Sequence, residues 1–377
     1  MWSKYHIWTW MAVAVLMLSA CSGDEVSEAV DKGSEPMAVS FHASVPAFQT
    51  RSVVNDISDL QTQGFGVFAY HTGNSDWDTA SGTATPNFMW NQQVSGSEWT
   101  YSPVKYWPNG TDAANEEDNP SNTATELATQ YLSFFAYAPH NGTGLTPSTN
   151  STTGAPTIAY AWVNNVNPTD QADLLYAAPQ KNLTRPDVTS KVSFEFHHAL
   201  TAIEFKVRRK DETGLPIILT SLALNSSSAA TATSTAQASF NTSGTFNLGT
   251  SAWSTLTSDV GTITYDAANI NTDLTGTHST DASKTGVTAY TDETAHALTN
   301  YTPNLLLLMP YEGTLTIPFT LSYTLGGTAK TPSSTITFTQ PTGGWALAMG
   351  KKYTVIFVID GGEVESYLLR TQEAEQW

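Results

Sequence analysis

"KVSFEFHHALTAIEFKVRRK", residues 191–210, decides the fold class. Apolar and polar residues alternate through Val192, Phe194 and Phe196, and again through Ile203, Phe205 and Val207, on either side of a middle at Ala199-Leu200. A period of two sends successive side chains to opposite faces, so each arm reads as a β-strand with one face in a core and the other in water.

The same signature recurs in both directions from there. Upstream lie "GFGVFAY" (64–70), "NFMWNQQV" (87–94), "EWTYSPVKYW" (98–107), "YLSFFAYAP" (131–139), "TIAYAWV" (157–163) and "DLLYAAP" (173–179). Downstream come "PIILTSLAL" (216–224), "ASFNTSGTFNL" (238–248), "NLLLLMPY" (304–311), "LTIPFTLSYTLGGTAKTPSSTITFT" (315–339) and "KKYTVIFVID" (351–360). Short strands separated by polar turns are the pattern of a sandwich or barrel. Ser95-Gly96-Ser97 and Gly326-Gly327 are placed to turn hairpins. Only "NTATELATQYLS" (122–133) suggests a short helix. Pro186 and its polar neighbours in "NLTRPDVTS" suit a linker, so the chain divides near residue 190 into two β-sandwiches.

A length of 377 residues exceeds what one core usually covers, in keeping with two domains. The formal net charge of −18 repels phosphate backbones, which argues against nucleic acid as a partner. A single cysteine, Cys21, excludes an internal disulfide or a cysteine-based metal site. Its setting explains it. Lys4, the apolar run Ile7–Leu18 and Leu18-Ser19-Ala20 read as a signal peptide over residues 1–20, and a cysteine directly after the small residues fits the lipobox of bacterial lipoproteins. Acyl chains on that thiol would hold the protein on a membrane without a spanning segment.

Residues 22–36, acidic and free of aromatics, read as a flexible tether. A strand-like piece follows, with Val39, Phe41, Ala43 and Val45 on one face, and then Pro46 and Arg51. Arg51 is the only Lys or Arg between Lys32 and Lys105.

The motifs of enzymes are missing or fail on context. Gly64-Phe65-Gly66-Val67-Phe68-Ala69 matches a dinucleotide fingerprint in letters, but it continues as strand where a helix should begin. No H-E-x-x-H or G-x-S-x-G occurs. His197 and His198 point to opposite faces of a strand and cannot easily share a metal. Asp112, Glu116, Glu117 and Asp118 lack the spacing of a calcium loop and read as a solvated turn. Trp90, Trp99 and Trp107 belong to an aromatic-rich third of the first domain. They suit either a sugar-stacking face or a filled interior. No catalytic residue, metal or cofactor is expected.

The order of these elements resembles the fimbrillin family of Bacteroidales, the subunits of lipoprotein-derived (type V) pili. The likeness is carried by "WTYSPVKYWPNG" (99–110), "LSFFAYAP" (132–139), "KVSFEFHHALTAIEFKV" (191–207), "LLLLMP" (305–310) and "GKKYTVIFVIDGG" (350–362). It implies an all-β fold of two transthyretin-like β-sandwich domains in tandem. Residues 21–51 would be lipidated tether and first strand, 52–190 the N-terminal sandwich and 191–377 the C-terminal one. It also implies lipidation at Cys21, display on the outer membrane, and cutting by a trypsin-like or arginine-specific protease. The cut falls at Arg51, leaving Ser52 as the new N-terminus, and assembly with other pilin subunits follows by strand exchange.

A cut at Arg51 frees the body from the segment carrying Val39, Phe41, Ala43 and Val45, and another chain's strand can fill the place by β-strand addition. A donor would come from the tail, through Val364, Leu368 and Trp377 or, in the other register, Tyr367 and Leu369. A tail that stays packed on its own domain suits a tip subunit instead. The alternative reading is a monomeric outer-membrane lipoprotein that binds glycans through Trp90, Trp99 and Trp107.

Overall fold

The computed structural model describes residues 36–45, 57–108, 130–162, 170–186, 188–210, 215–270, 295–301, 304–342 and 344–369. Strands dominate these residues. The helices among them are short: Ile57–Gln63, Trp77–Ala80 and Ser227–Thr233. The segment weighed as a helix lies outside the described residues up to Thr129, and its last residues begin a strand.

The first sheet contains β1 (Ser40–Ser44), β2 (Phe65–Gly73), β3 (Met89–Val94), β4 (Tyr131–Ala138), β7 (Leu175–Ala177), β8 (Gln180–Leu183) and β9 (Lys191–His198). Its order is β1-β9-β7-β4-β2-β3, with β8 also on β4. The second sheet joins β5 (Leu145–Pro147), β6 (Thr157–Ala161), β12 (Phe240–Asn247) and β13 (Ala252–Asp259), in the order β13-β12-β6-β5. The third has β10 (Thr201–Arg209), β15 (His296–Ala297), β16 (Leu305–Leu308), β20 (Lys352–Asp360) and β21 (Glu363–Leu369). The fourth has β11 (Ile217–Leu224), β14 (Ile263–Tyr265), β17 (Leu315–Leu325), β18 (Thr328–Lys330) and β19 (Ser333–Phe338).

The first sheet is buried on both sides, which is why "FGVFAY" and "FFAYA" read as nearly continuous apolar runs. Phe65, Val67, Phe134, Phe194 and Phe196 face one core, under the Ile57–Gln63 helix and the 95–107 turn. Phe68, Tyr70, Phe135 and Tyr137 face the other, against Ile158, Tyr160 and Phe246 of the second sheet. Gly66 lies where Tyr137 crosses the strand: a Cβ there would stand 2.4 Å from the tyrosine ring, so only glycine admits that approach. The third and fourth sheets close the remaining sandwich over Phe205, Leu219, Phe319 and Phe357. Both hairpin turns read from sequence form. Ser95 bridges Thr100 around Gly96, and Leu325 pairs Thr328 around Gly326 and Gly327, whose positive φ angles of 57° and 83° fit a two-residue primed turn.

Chain order and sheet order part company after residue 190. Lys191–His198 pairs in register with β1 and β7 of the first sheet. The β12–β13 hairpin pairs with β6 and completes the second sheet. The two halves also share a strand. In β16, Leu306 and Leu308 enter the core between the third and fourth sheets, while Leu305 and Leu307 enter the core under the second. The indole of Trp162 donates to the Leu307 carbonyl at 3.0 Å, at that joint.

Candidate functional site

β1 is the edge strand of the first sheet, and it runs parallel to β9 from Ser40 opposite Lys191 to Ser44 opposite Glu195. Its alternation decides which residues anchor it. Val39, Phe41 and Ala43 are each 1% exposed, while Ser40, His42 and Ser44 face outward. Met37 and Val45 pack partly against the same core.

Phe41 is the centre of the attachment. Its ring lies 5.4 Å from Tyr101, 6.0 Å from Phe134 and 6.4 Å from Phe65, all edge-on, and stacks on Phe194 at 6.0 Å. Edge-on and stacked pairs at these separations are the favoured arrangements of aromatic quadrupoles.

The preceding residues are gripped from the other side by the 95–107 segment. Val39 donates its N–H to the Lys105 carbonyl at 2.8 Å, Trp107 donates to the Met37 carbonyl at 2.9 Å, and Ala38 bridges Tyr106. The Tyr101 hydroxyl donates to the Val39 carbonyl at 2.7 Å and accepts from the Lys105 N–H at 3.2 Å. Burial pushes the Tyr101 phenol up to about 12, so its proton stays available to that carbonyl at neutral pH. The Ser40 hydroxyl donates to the Ser190 carbonyl at 3.3 Å. The strand is thus held on two edges and through one face by residues from 24 to about 150 positions away.

Of the residues read as sites from sequence, Val39, Phe41 and Ala43 are brought together here, with Val45 half-buried beside them. Cys21, Arg51, Ser52, Trp377 and the acidic run 112–118 lie outside the described residues. The tail residues form β21, which pairs with β20 from Glu363 to Leu369. Val364 is buried in that core, Leu368 packs against it, and the Ser366 hydroxyl donates to the Thr335 carbonyl at 2.8 Å. Tyr367 and Leu369 occupy positions on the same strand.

The three tryptophans do not form one face. Trp99 and Trp107 are 5% and 4% exposed, inside the core that holds Phe41, because the turn carrying them folds back over the first sheet. A ring stacks on a sugar only through a free face, and these two have none. Trp90 is 46% exposed on β3, and its indole donates to the Ser148 carbonyl at 2.9 Å.

His198 Nδ1 stands 3.0 Å from the buried Asp173 carboxylate, and the His197 ring tilts against the Tyr176 ring at 5.9 Å. Among the described residues no group of three or more His, Cys, Asp or Glu side chains could hold a metal ion. Sequence reading missed the walls of the Phe41 pocket, Phe65, Tyr101, Phe134 and Phe194. Each signalled only that it was core, and nothing local tells which cores meet.

A family model described as fimbrillin-like matches residues 126–377. The fimbrium subunit Fim1C of Phocaeicola vulgatus is 30% identical over 206 residues, 51% of this chain and 48% of that protein, so the chain spans about half the length of the curated relative it matches. The crystal structure of a fimbrial protein from Bacteroides vulgatus shares the fold. Its TM-score is 0.60 at 20% identity, over 88% of this chain and 99% of that one.

Proposed function

The chain belongs to the fimbrillin-like family, and from that premise we propose that it is a subunit of a cell-surface pilus whose first strand is a removable placeholder. In this reading it is exported as a lipoprotein precursor and anchored to the outer membrane through Cys21. A trypsin-like or arginine-specific protease cuts it after Arg51, and it joins other pilin subunits when an incoming strand takes the place of β1.

The observation that carries the reading is the attachment of β1. A strand at a sheet edge can leave without breaking the sheet in two, and this one takes three side chains of 1% exposure with it. Val39 and Phe41 contribute about 1.5–3 kcal/mol each by apolar burial, and each ladder hydrogen bond about 1 kcal/mol net. The emptied groove therefore carries several kcal/mol of unmet interaction, available to any strand that fits it. Because the cut lies beyond β1, the nicked body stays on the lipid-bearing segment until that segment is displaced, which couples release to assembly.

The tail supports a place at the end of a fibre. β21 is paired along its length within its own sandwich and tied to Thr335. Such a subunit accepts a strand at the β1 groove and gives none from residues 363–369. Limited trypsin digestion of unlipidated protein, N-terminal sequencing and an unboiled gel test the whole reading. Ser52 is expected as the new N-terminus, with higher-order species when a donor subunit is present. A chain that is not cut after Arg51, or a nicked body that keeps β1 and stays monomeric with every donor, overturns it.

A further inference from the structure

We propose that the β1 groove selects its occupant by side-chain size at three alternate positions: an aliphatic residue where Val39 sits, an aromatic one at Phe41 and an alanine-sized one at Ala43. The inference rests on the reading that β1 is replaceable, and it names the partner: an extended strand of a different chain with that pattern.

The central position is enclosed by rings. Phe65, Tyr101 and Phe134 present edge-on contacts to Phe41 and Phe194 a stacked one, and the side chain is 1% exposed. An aliphatic side chain there loses the quadrupole contacts on every side, and a small one leaves a ring-sized void.

The next inward position is small for a reason visible in the register. Ala43 stands directly opposite Phe194 on β9, whose ring is turned onto Phe41 with an interplanar angle of 19°. Ala43 is itself 1% exposed, so added methylenes would have to push into a closed core.

Register is pinned at the first position. Val39 donates to the Lys105 carbonyl and accepts from the Tyr101 hydroxyl, which leaves no freedom for the ring two residues later to miss its pocket. A slip of one residue would turn all three inward side chains to solvent. Of the outward residues, His42 is exposed and enters no core, which makes it the control position; Ser40 and Ser44 are half-buried.

The chain's own tail does not meet this pattern. Tyr367 has Glu365 two residues before it and Leu369 two after, and the other register, Val364, Ser366 and Leu368, has no ring. Residues 363–369 are also already paired with β20. A strand from a different chain is the occupant that fits.

The test uses the full unlipidated chain with a site-specific protease sequence placed between residues 46 and 56, so that exchange does not depend on cutting at Arg51. The protein, nicked with β1 still seated, is challenged with fluorescent peptides of residues 37–45, and exchange is followed by anisotropy. The unaltered peptide and its His42→Ala form are expected to enter equally well. The Phe41→Ala peptide should bind at least ~100-fold more weakly and the Ala43→Leu peptide at least ~10-fold more weakly. A peptide of residues 363–371 should not enter.

If the unaltered peptide enters and the Phe41→Ala or Ala43→Leu form binds within about threefold of it, the selection rule is overturned and the replaceable strand stands. If no peptide enters, the unaltered one included, both are overturned.

Discussion

Phe41 and Phe194 stack at 6.0 Å from neighbouring parallel strands, one on the edge strand Ser40–Ser44 and the other in the stretch 191–198. That pair joins the first strand to the body, and the consequences of disturbing it can be measured.

Phe41→Ala in the uncut chain empties the centre of a closed aromatic cluster. A loss of about 3–5 kcal/mol in urea unfolding is expected, against less than about 0.5 kcal/mol for the outward-facing His42→Ala. Equal effects from the two would mean that β1 is not seated as described.

Tyr101→Phe removes the hydroxyl that donates to the Val39 carbonyl. The expected cost is about 1–3 kcal/mol, since a buried acceptor is left without its partner. The substitution also changes the response to alkali. Burial raises the folded phenol to about 12, above the ordinary tyrosine value of ~10, so the native state holds its proton more tightly than the unfolded chain. Its contribution is fully present below the unfolded value and is lost as pH rises through the folded one. The stability difference between the native protein and Tyr101→Phe should therefore shrink between those two values, measured as paired melts across that range.

The tryptophans should separate by burial. Trp99→Ala and Trp107→Ala are expected to cost about 3–5 kcal/mol each, whereas Trp90→Ala on the exposed face of β3 should cost about 1 kcal/mol or less. Thermal melts of the three variants make the comparison. Iodide quenching of the native protein should reach Trp90 before the other two.

Gly66→Ala places a Cβ against the Tyr137 ring, at 2.4 Å, and the Asn91 side chain, at 2.6 Å. Tyr137 donates its hydroxyl to Asn91 Oδ1 at 2.8 Å, so neither neighbour moves without breaking that bond. A destabilisation of about 1–3 kcal/mol is expected from this overpacking, read as a lowered melting temperature.

Much of this protein was legible in its sequence where periodicity carries the information. Alternation in 191–198 and 201–209 marks two strands and which side of each is buried, and Gly326-Gly327 marks a turn, because both signals reside within a few consecutive residues. The same holds for Val39, Phe41 and Ala43, whose inward face was readable from spacing alone. Partners were not. The two strands that adjoin at Ala199-Leu200 do not form a hairpin: β9 pairs in parallel with β1, and β10 in parallel with β20, whose residues are about 150 positions further on. The Phe41 pocket likewise draws its walls from four separate segments. Side-chain alternation belongs to each strand by itself, whereas the groups that pair one strand with another are backbone N–H and C=O, which are alike at nearly every residue. Which edge meets which is therefore decided only when the cores close.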